Sequence, residues 1–84
     1  MGLTPVQQAI IIDLVVHGAD KAQNIANRVG FHRNTVSSHM TKLVDKGHLI
    51  SKGGGVHRVS DGGLDLGQTL IRSGENPYVD DDSS

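Results

Sequence analysis

An 84-residue chain has room for one domain and not for two, and with Phe31 and Tyr78 as its only aromatic side chains the core is modest, so pairing with a second copy would help it. The absence of cysteine excludes a disulfide framework and thiolate metal sites, and the longest apolar stretch, Ala9 to Val16, is broken by Asp13 and falls well short of the roughly 20 residues of a membrane span, so a cytoplasmic protein without a membrane partner is expected. The net charge of −1 conceals a partition, because residues 21–58 sum to +6 with Asp45 their only acid, while residues 1–20 sum to −2 and residues 59–84 to −5; a basic middle suits a polyanion, or else a solvated face.

In chain order, Thr4-Pro5-Val6-Gln7 predicts a helix start, with Thr4 as N-cap, Pro5 at the first helical position and Gln7 closing a capping box. Val6, Ile10, Ile11 and Leu14 form its apolar stripe and Gly18 its stop; the run Ile10-Ile11-Ile12 would also suit a buried strand, but length and capping favour helix. Asp20-Lys21-Ala22-Gln23 repeats the capping-box pattern before Ala22, Ile25, Ala26 and Val29, a short amphipathic helix ended by Gly30. From about Arg33 to Lys46 a third helix carries Val36, Met40, Leu43 and Val44 on one face and polar residues on the other, with Gly47 as its stop. Leu49–Lys52 and Val56–Ser60 read as two strands around Gly53-Gly54-Gly55, a loop that supplies the positive φ values a hairpin needs. Asp61 can cap a last helix holding Leu64, Leu66, Leu70 and Ile71, which Gly62, Gly63 and Gly67 weaken by up to about 1 kcal/mol each. Residues 75–84, with four acids and little to bury, read as an acidic flexible tail.

Between Ala22 and Ile50, the pair Ile25-Ala26, Gly30 at the turn, Thr35-Val36-Ser37 early in the third helix, and Leu43 followed by Gly47-His48-Leu49-Ile50 resemble the core of winged helix-turn-helix regulators of the MarR-like kind. The glycine-rich loop followed by Val59-Ser60-Asp61-Gly62-Gly63 is also similar to small repressor-like proteins of haloarchaeal viruses and proviruses. The resemblance covers roughly residues 4–73. It implies an α+β, mainly α fold over residues 1–74, with three helices, a β-hairpin wing and a C-terminal helix. It also implies a transcriptional regulator, of the repressor type, that binds double-stranded DNA sequence-specifically. His32 departs from the pattern, since many relatives place Ser or Asp at this N-cap, and a weaker cap is expected.

A recognition helix enters the major groove by its N-terminal part, where backbone amides and the positive dipole end suit phosphates and short polar side chains reach base edges. With Val36, Met40 and Leu43 turned inward, Arg33, Asn34, Ser37, Ser38, Thr41 and Lys42 are left for the duplex. Arg33, Asn34 and Ser38 are the candidates for bases, and Thr35, Ser37 and Lys42 for phosphates. Lys52, His57 and Arg58 would set the wing against the backbone or the adjacent minor groove. Ile12, Val15 and Val16 form a second apolar patch on the first helix, which can pack under the last helix or, with Leu70, meet a second chain; a homodimer is expected, reading half-sites about 10 base pairs apart or a multiple of it.

Other chemistry lacks candidates. The five histidines never fall at a ligating i, i+3 or i+4 spacing, and no nucleophile has a plausible base. Gly62 to Thr69 nearly matches a phosphate-binding loop but has Gln68 where the lysine belongs, and Gly53–Gly55 is a turn before it is a cradle. The aromatics that stack single-stranded bases are almost missing. No enzyme, metal, cofactor or small-molecule ligand is expected. A winged-helix protein–protein interaction module without specific DNA binding is the alternative, and the low net charge favours it.

Overall fold

Thr4, Pro5 and Gln7 start α1 (Pro5–His17) as their order predicts: the Gln7 amide donates to Thr4 Oγ1 and the Thr4 amide to Gln7 Oε1, each at 3.2 Å. The computed structural model describes residues 3–74, so the acidic segment 75–84 lies outside the described residues. Gly18 closes α1 with φ of 88°, and its N–H donates to the Leu14 carbonyl. The predicted stripe is too narrow: Ala9, Ile10, Ile11, Ile12, Asp13 and Leu14 are all buried in succession, because α1 is the central helix and is covered on several sides.

Around it run β1 (Asp20–Lys21), α2 (Ala22–Val29), α3 (Arg33–Asp45), β2 (Leu49–Gly53), β3 (Val56–Val59) and α4 (Asp61–Arg72). The strands form an antiparallel sheet in the order β1-β3-β2, with Asp20 opposite His57, Lys21 opposite Val56, and Leu49 opposite Val59. Helices, hairpin and C-terminal helix in this order make an α+β, mainly helical, winged-helix arrangement. Ile10, Ile11 and Leu14 of α1 join Ile25, Ala26 and Val29 of α2, Val36, Met40 and Leu43 of α3, and Leu49 of β2 in one core cluster. Among the described residues no helix is long and apolar enough to cross a membrane.

Three local expectations change. The capping box at Asp20 does not form: Asp20 is drawn into the sheet as β1, a strand not expected from sequence, and Lys21 becomes the N-cap of α2 without a side-chain bond. The last helix is capped by Ser60 instead of Asp61; Ser60 Oγ accepts from the Gly63 amide and donates to the Gly47 carbonyl, so β3 ends at Val59. The glycines of α4 are more than weak points. A Cβ on Gly63 would overlap the His48 carbonyl, and one on Gly67 would stand 2.5 Å from a Val15 methyl and 3.0 Å from an Ile11 methyl, so the absence of side chains lets α4 lie close on α1.

That close approach also revises the expected dimer surface. Ile12 is fully buried and Leu70 nearly so within one chain, and Val15 is half-buried against Gly67; of the four residues expected to meet a second copy, Val16 alone is exposed, at 58%. Ile12 and Leu70 are thus buried within the single chain, and Val15 packs against α4, as the other reading has it.

Candidate nucleic-acid interface

Helix α3 begins at Arg33, behind His32, whose Nδ1 accepts a hydrogen bond from the Asn34 amide at 3.1 Å. The expected weak cap is therefore a working one: with Nδ1 unprotonated, the ring supplies the acceptor that Ser or Asp would. Every candidate that sequence assigns to this helix is exposed, namely Arg33, Asn34, Thr35, Ser37, Ser38, Thr41 and Lys42. The helical period of 3.6 residues sorts them. Arg33, Ser37 and Thr41, at i, i+4 and i+8, lean toward the wing, Asn34 and Ser38 stand along the outward centre, and Thr35 and Lys42 lie on the far flank. Thr41 Oγ1 donates back to the Ser37 carbonyl at 3.3 Å, which fixes that hydroxyl beside Ser37. On the far flank Gln7 Nε2 and His39 Nδ1 meet at 3.2 Å and tie the start of α1 to the middle of α3.

The row facing the wing is one wall of a cleft of about 280 Å³, lined by Arg33, Ser37, Met40 and Thr41 of α3, Lys21, Ala22 and Gln23 at the start of α2, and Gly55 and His57 of the wing. Its polar rim carries Lys21, Arg33 and His57 with neutral donors between them, and no acidic side chain lines it. Lys21 and Gln23 are the members sequence reasoning misses. The only sequence signal for Lys21 is its place in the basic middle segment; its position beside the wing depends on β1, a two-residue strand whose partners lie more than thirty residues away.

The wing residues do not act as one set. Side chains alternate across a strand, so His57 and Arg58 point to opposite faces. His57 faces the cleft, its Nδ1 3.1 Å from the Gly55 carbonyl. Arg58 lies on the other face, across from Ile50, and its Nη1 donates to the Val59 carbonyl at 3.0 Å. Lys52 sits where the register between Ser51 and Gly53 shifts, a bulge that leaves it exposed and out of the strand alternation. The loop is shorter than expected: Gly53 ends β2 opposite Val56, so Gly54 and Gly55 alone make the turn, and all three glycines adopt positive φ.

Arg28, one of the seven bases of the middle segment, is withdrawn from this surface. Its Nε and Nη2 donate to the two oxygens of the fully buried Asp13 at 3.0 and 2.8 Å, and its Nη1 meets Asp20 Oδ2 at 2.9 Å. The Asp20 carboxylate also accepts from Asn24 Nδ2 and the Lys21 amide, each at 2.8 Å. These bonds, the Asn24 one foremost, then the Lys21 amide and Arg28, hold Asp20 at a pKa of about 2, below its usual 3.8. Asp13, followed by Asp20, raises the Arg28 guanidinium still further above its ordinary value. The network ties α1, β1 and α2 together and so fixes Lys21 next to the wing.

Among the described residues no group of three His, Asp or Glu side chains is placed to hold a metal ion. No model of a known protein family matches the chain, and neither does any curated protein.

Proposed function

We propose that this chain is a sequence-specific double-stranded DNA-binding regulator of transcription, acting as a repressor by occupying its site. The observation that carries the reading is the exposed, unobstructed N-terminal half of α3 beside a cleft that is cationic and free of acids. An α-helix fits the major groove of B-DNA, and its N-terminal amides favour the phosphates that flank it. Arg33 and Asn34 occupy the first turn of α3, where they reach base edges; Ser38 follows one turn later on the same line. Lys21, Ser37 and His57 then take the backbone on the wing side, and Thr35 and Lys42 the backbone on the other. Asp45, the one acid of α3, stands at the C-terminal end, away from the end that enters the groove.

Selection of bound duplexes from a random pool, followed by titration of the winner against unrelated duplex, tests this. Wild type should prefer the selected site, and Arg33→Ala should lose that preference while keeping its weaker, sequence-independent affinity. Lys21→Ala should weaken all duplexes alike and reduce the slope of log affinity against log salt by about 1. No retardation of any duplex by micromolar protein at low salt would reject DNA binding and leave the protein-interaction module as the reading of the fold.

A further inference from the structure

Three histidines border the surface formed by α3 and the wing, and their partners commit different ring nitrogens. His32 Nδ1 accepts from the Asn34 amide at 3.1 Å. His39 Nδ1 meets Gln7 Nε2 at 3.2 Å; because Gln7 Oε1 already accepts from the Thr4 amide, it is the NH2 group that faces His39, and this Nδ1 accepts as well. Each of these contacts needs an unprotonated Nδ1, so the ring proton sits on Nε2 and a second proton would cost the bond. His57 is the reverse case. Its Nδ1 lies 3.1 Å from the Gly55 carbonyl, which can only accept, so Nδ1 carries the proton and the neutral ring is left with a lone pair at Nε2.

The His57 ring lines the cleft with Lys21 and Arg33. A phosphate oxygen brings lone pairs of its own, so the neutral ring has nothing to offer it at Nε2, whereas a protonated ring donates a charge-assisted bond there. We propose that His57 binds a backbone phosphate as the imidazolium, taking up one proton from solvent as the duplex arrives; this rests on the reading of the cleft as a seat for duplex DNA. The surroundings leave the countercharge to the duplex. Arg33 of α3 and Lys21 before α2 are cations, and Asp20, opposite His57 in the register of β1 with β3, is committed to Arg28, Asn24 and the Lys21 amide. On the other side β2 sets uncharged Ser51 opposite His57, with Lys52 exposed at the bulge, and neither α1 nor α4 lines the cleft. Imidazole changes charge between about pH 5 and 8, so uptake of one proton makes affinity rise as pH falls through that range, by at most about ten-fold per pH unit. His32 and His39 act in the opposite sense, since acid removes their bonds, and the part due to His57 is read against a variant that keeps both.

Affinity of the full chain for a labelled duplex of unselected sequence, at fixed low salt and from about pH 5.5 to 8, tests this in wild type, His57→Gln and His57→Arg. Glutamine offers a donor that does not titrate, and arginine a charge that does not. The ratio of wild-type to His57→Gln affinity should rise by about five- to ten-fold from the alkaline to the acid end, while the ratio of His57→Arg to His57→Gln stays level. Calorimetric titration near pH 7 in two buffers of different ionisation heat should show wild type taking up more protons on binding than His57→Gln. His57 lies at the surface of a strand, and circular dichroism verifies that both variants fold. Duplex binding with a wild-type to His57→Gln ratio that pH leaves unchanged, or with equal proton uptake in the two, would overturn the proposal alone. Absence of duplex binding at every pH would reject the reading of the cleft, and the proposal with it.

Discussion

At the scale of single residues, the most consequential side chain is one that the proposed site does not use. Arg28 raises the formal charge of the middle segment, yet its guanidinium is spent on Asp13 and Asp20. Half of this is legible in the sequence: an aspartate inside the apolar run Ala9 to Val16 needs a cationic partner once that run is buried. Which cation answers it is not legible, because Arg28 arrives from the next helix through the packing of α2 on α1. The same network gives Asp20 its depressed pKa, and a depressed acid contributes stability that is complete above its unfolded value and disappears as pH falls through its folded one. The stability contributed by Asp20 should therefore be whole above about pH 4 and fade as pH falls toward 2. Denaturant titrations at several pH values should show wild type more stable than Asp20→Ala near neutrality, with the two converging across that acid window. Subtracting the variant removes the common response of the other carboxylates; a difference that stays constant down to pH 2 would contradict the assignment.

At the scale of elements, boundaries that depend on local chemistry are legible and those that depend on a distant neighbour are not. The start of α1 and the glycine stops follow from residues a few positions apart, whereas β1 and the shift of the last cap to Ser60 depend on pairing with β3 and on the Gly47 carbonyl. The glycines of α4 show the same divide. All three lower helix propensity, but Gly62 is exposed and a Cβ there would meet only Ser60 Oγ at 3.9 Å, an ordinary contact, whereas Gly63 and Gly67 touch His48 and α1. Gly62→Ala should stabilise the protein by up to about 1 kcal/mol, and Gly67→Ala should cost about 1–3 kcal/mol despite the same gain in propensity. Urea midpoints of the two variants test the sign of each effect. His32→Asp separates stability from the proposed function. A carboxylate is a stronger cap and complements the helix dipole, which should add about 1 kcal/mol, yet it sets a negative charge where the duplex is expected. Thermal stability should rise while duplex affinity falls several-fold; unchanged affinity would mean that this end of α3 does not face a polyanion.

For the whole molecule, the order of helices and hairpin is legible because each segment carries its own period and stop, and the outward polar side of α3 follows from the inward positions of Val36, Met40 and Leu43. The cleft is less so: it exists only where three elements distant in sequence converge, which is why Lys21 enters the site and Arg58 turns away from it. Net charge is the remaining property that no single element decides. Residues 75–84 hold four of the nine acids and no base, so the chain without them moves from −1 to +3. A duplex approaching the cleft responds to the whole charge within a Debye length, about 10 Å at 0.1 M salt, and to less of it as salt rises. A chain ending at Gly74 should therefore bind duplex several-fold more tightly than the full chain at about 0.05 M salt, with the two affinities converging by about 0.5 M. Preference among duplexes should be unaffected, since base edges are read by direct contacts that the acidic segment does not supply. Equal affinity at low salt would show that the acids of residues 75–84 do not act on the bound duplex, and a gap that survives at 0.5 M would point to a direct contact in place of a screened field.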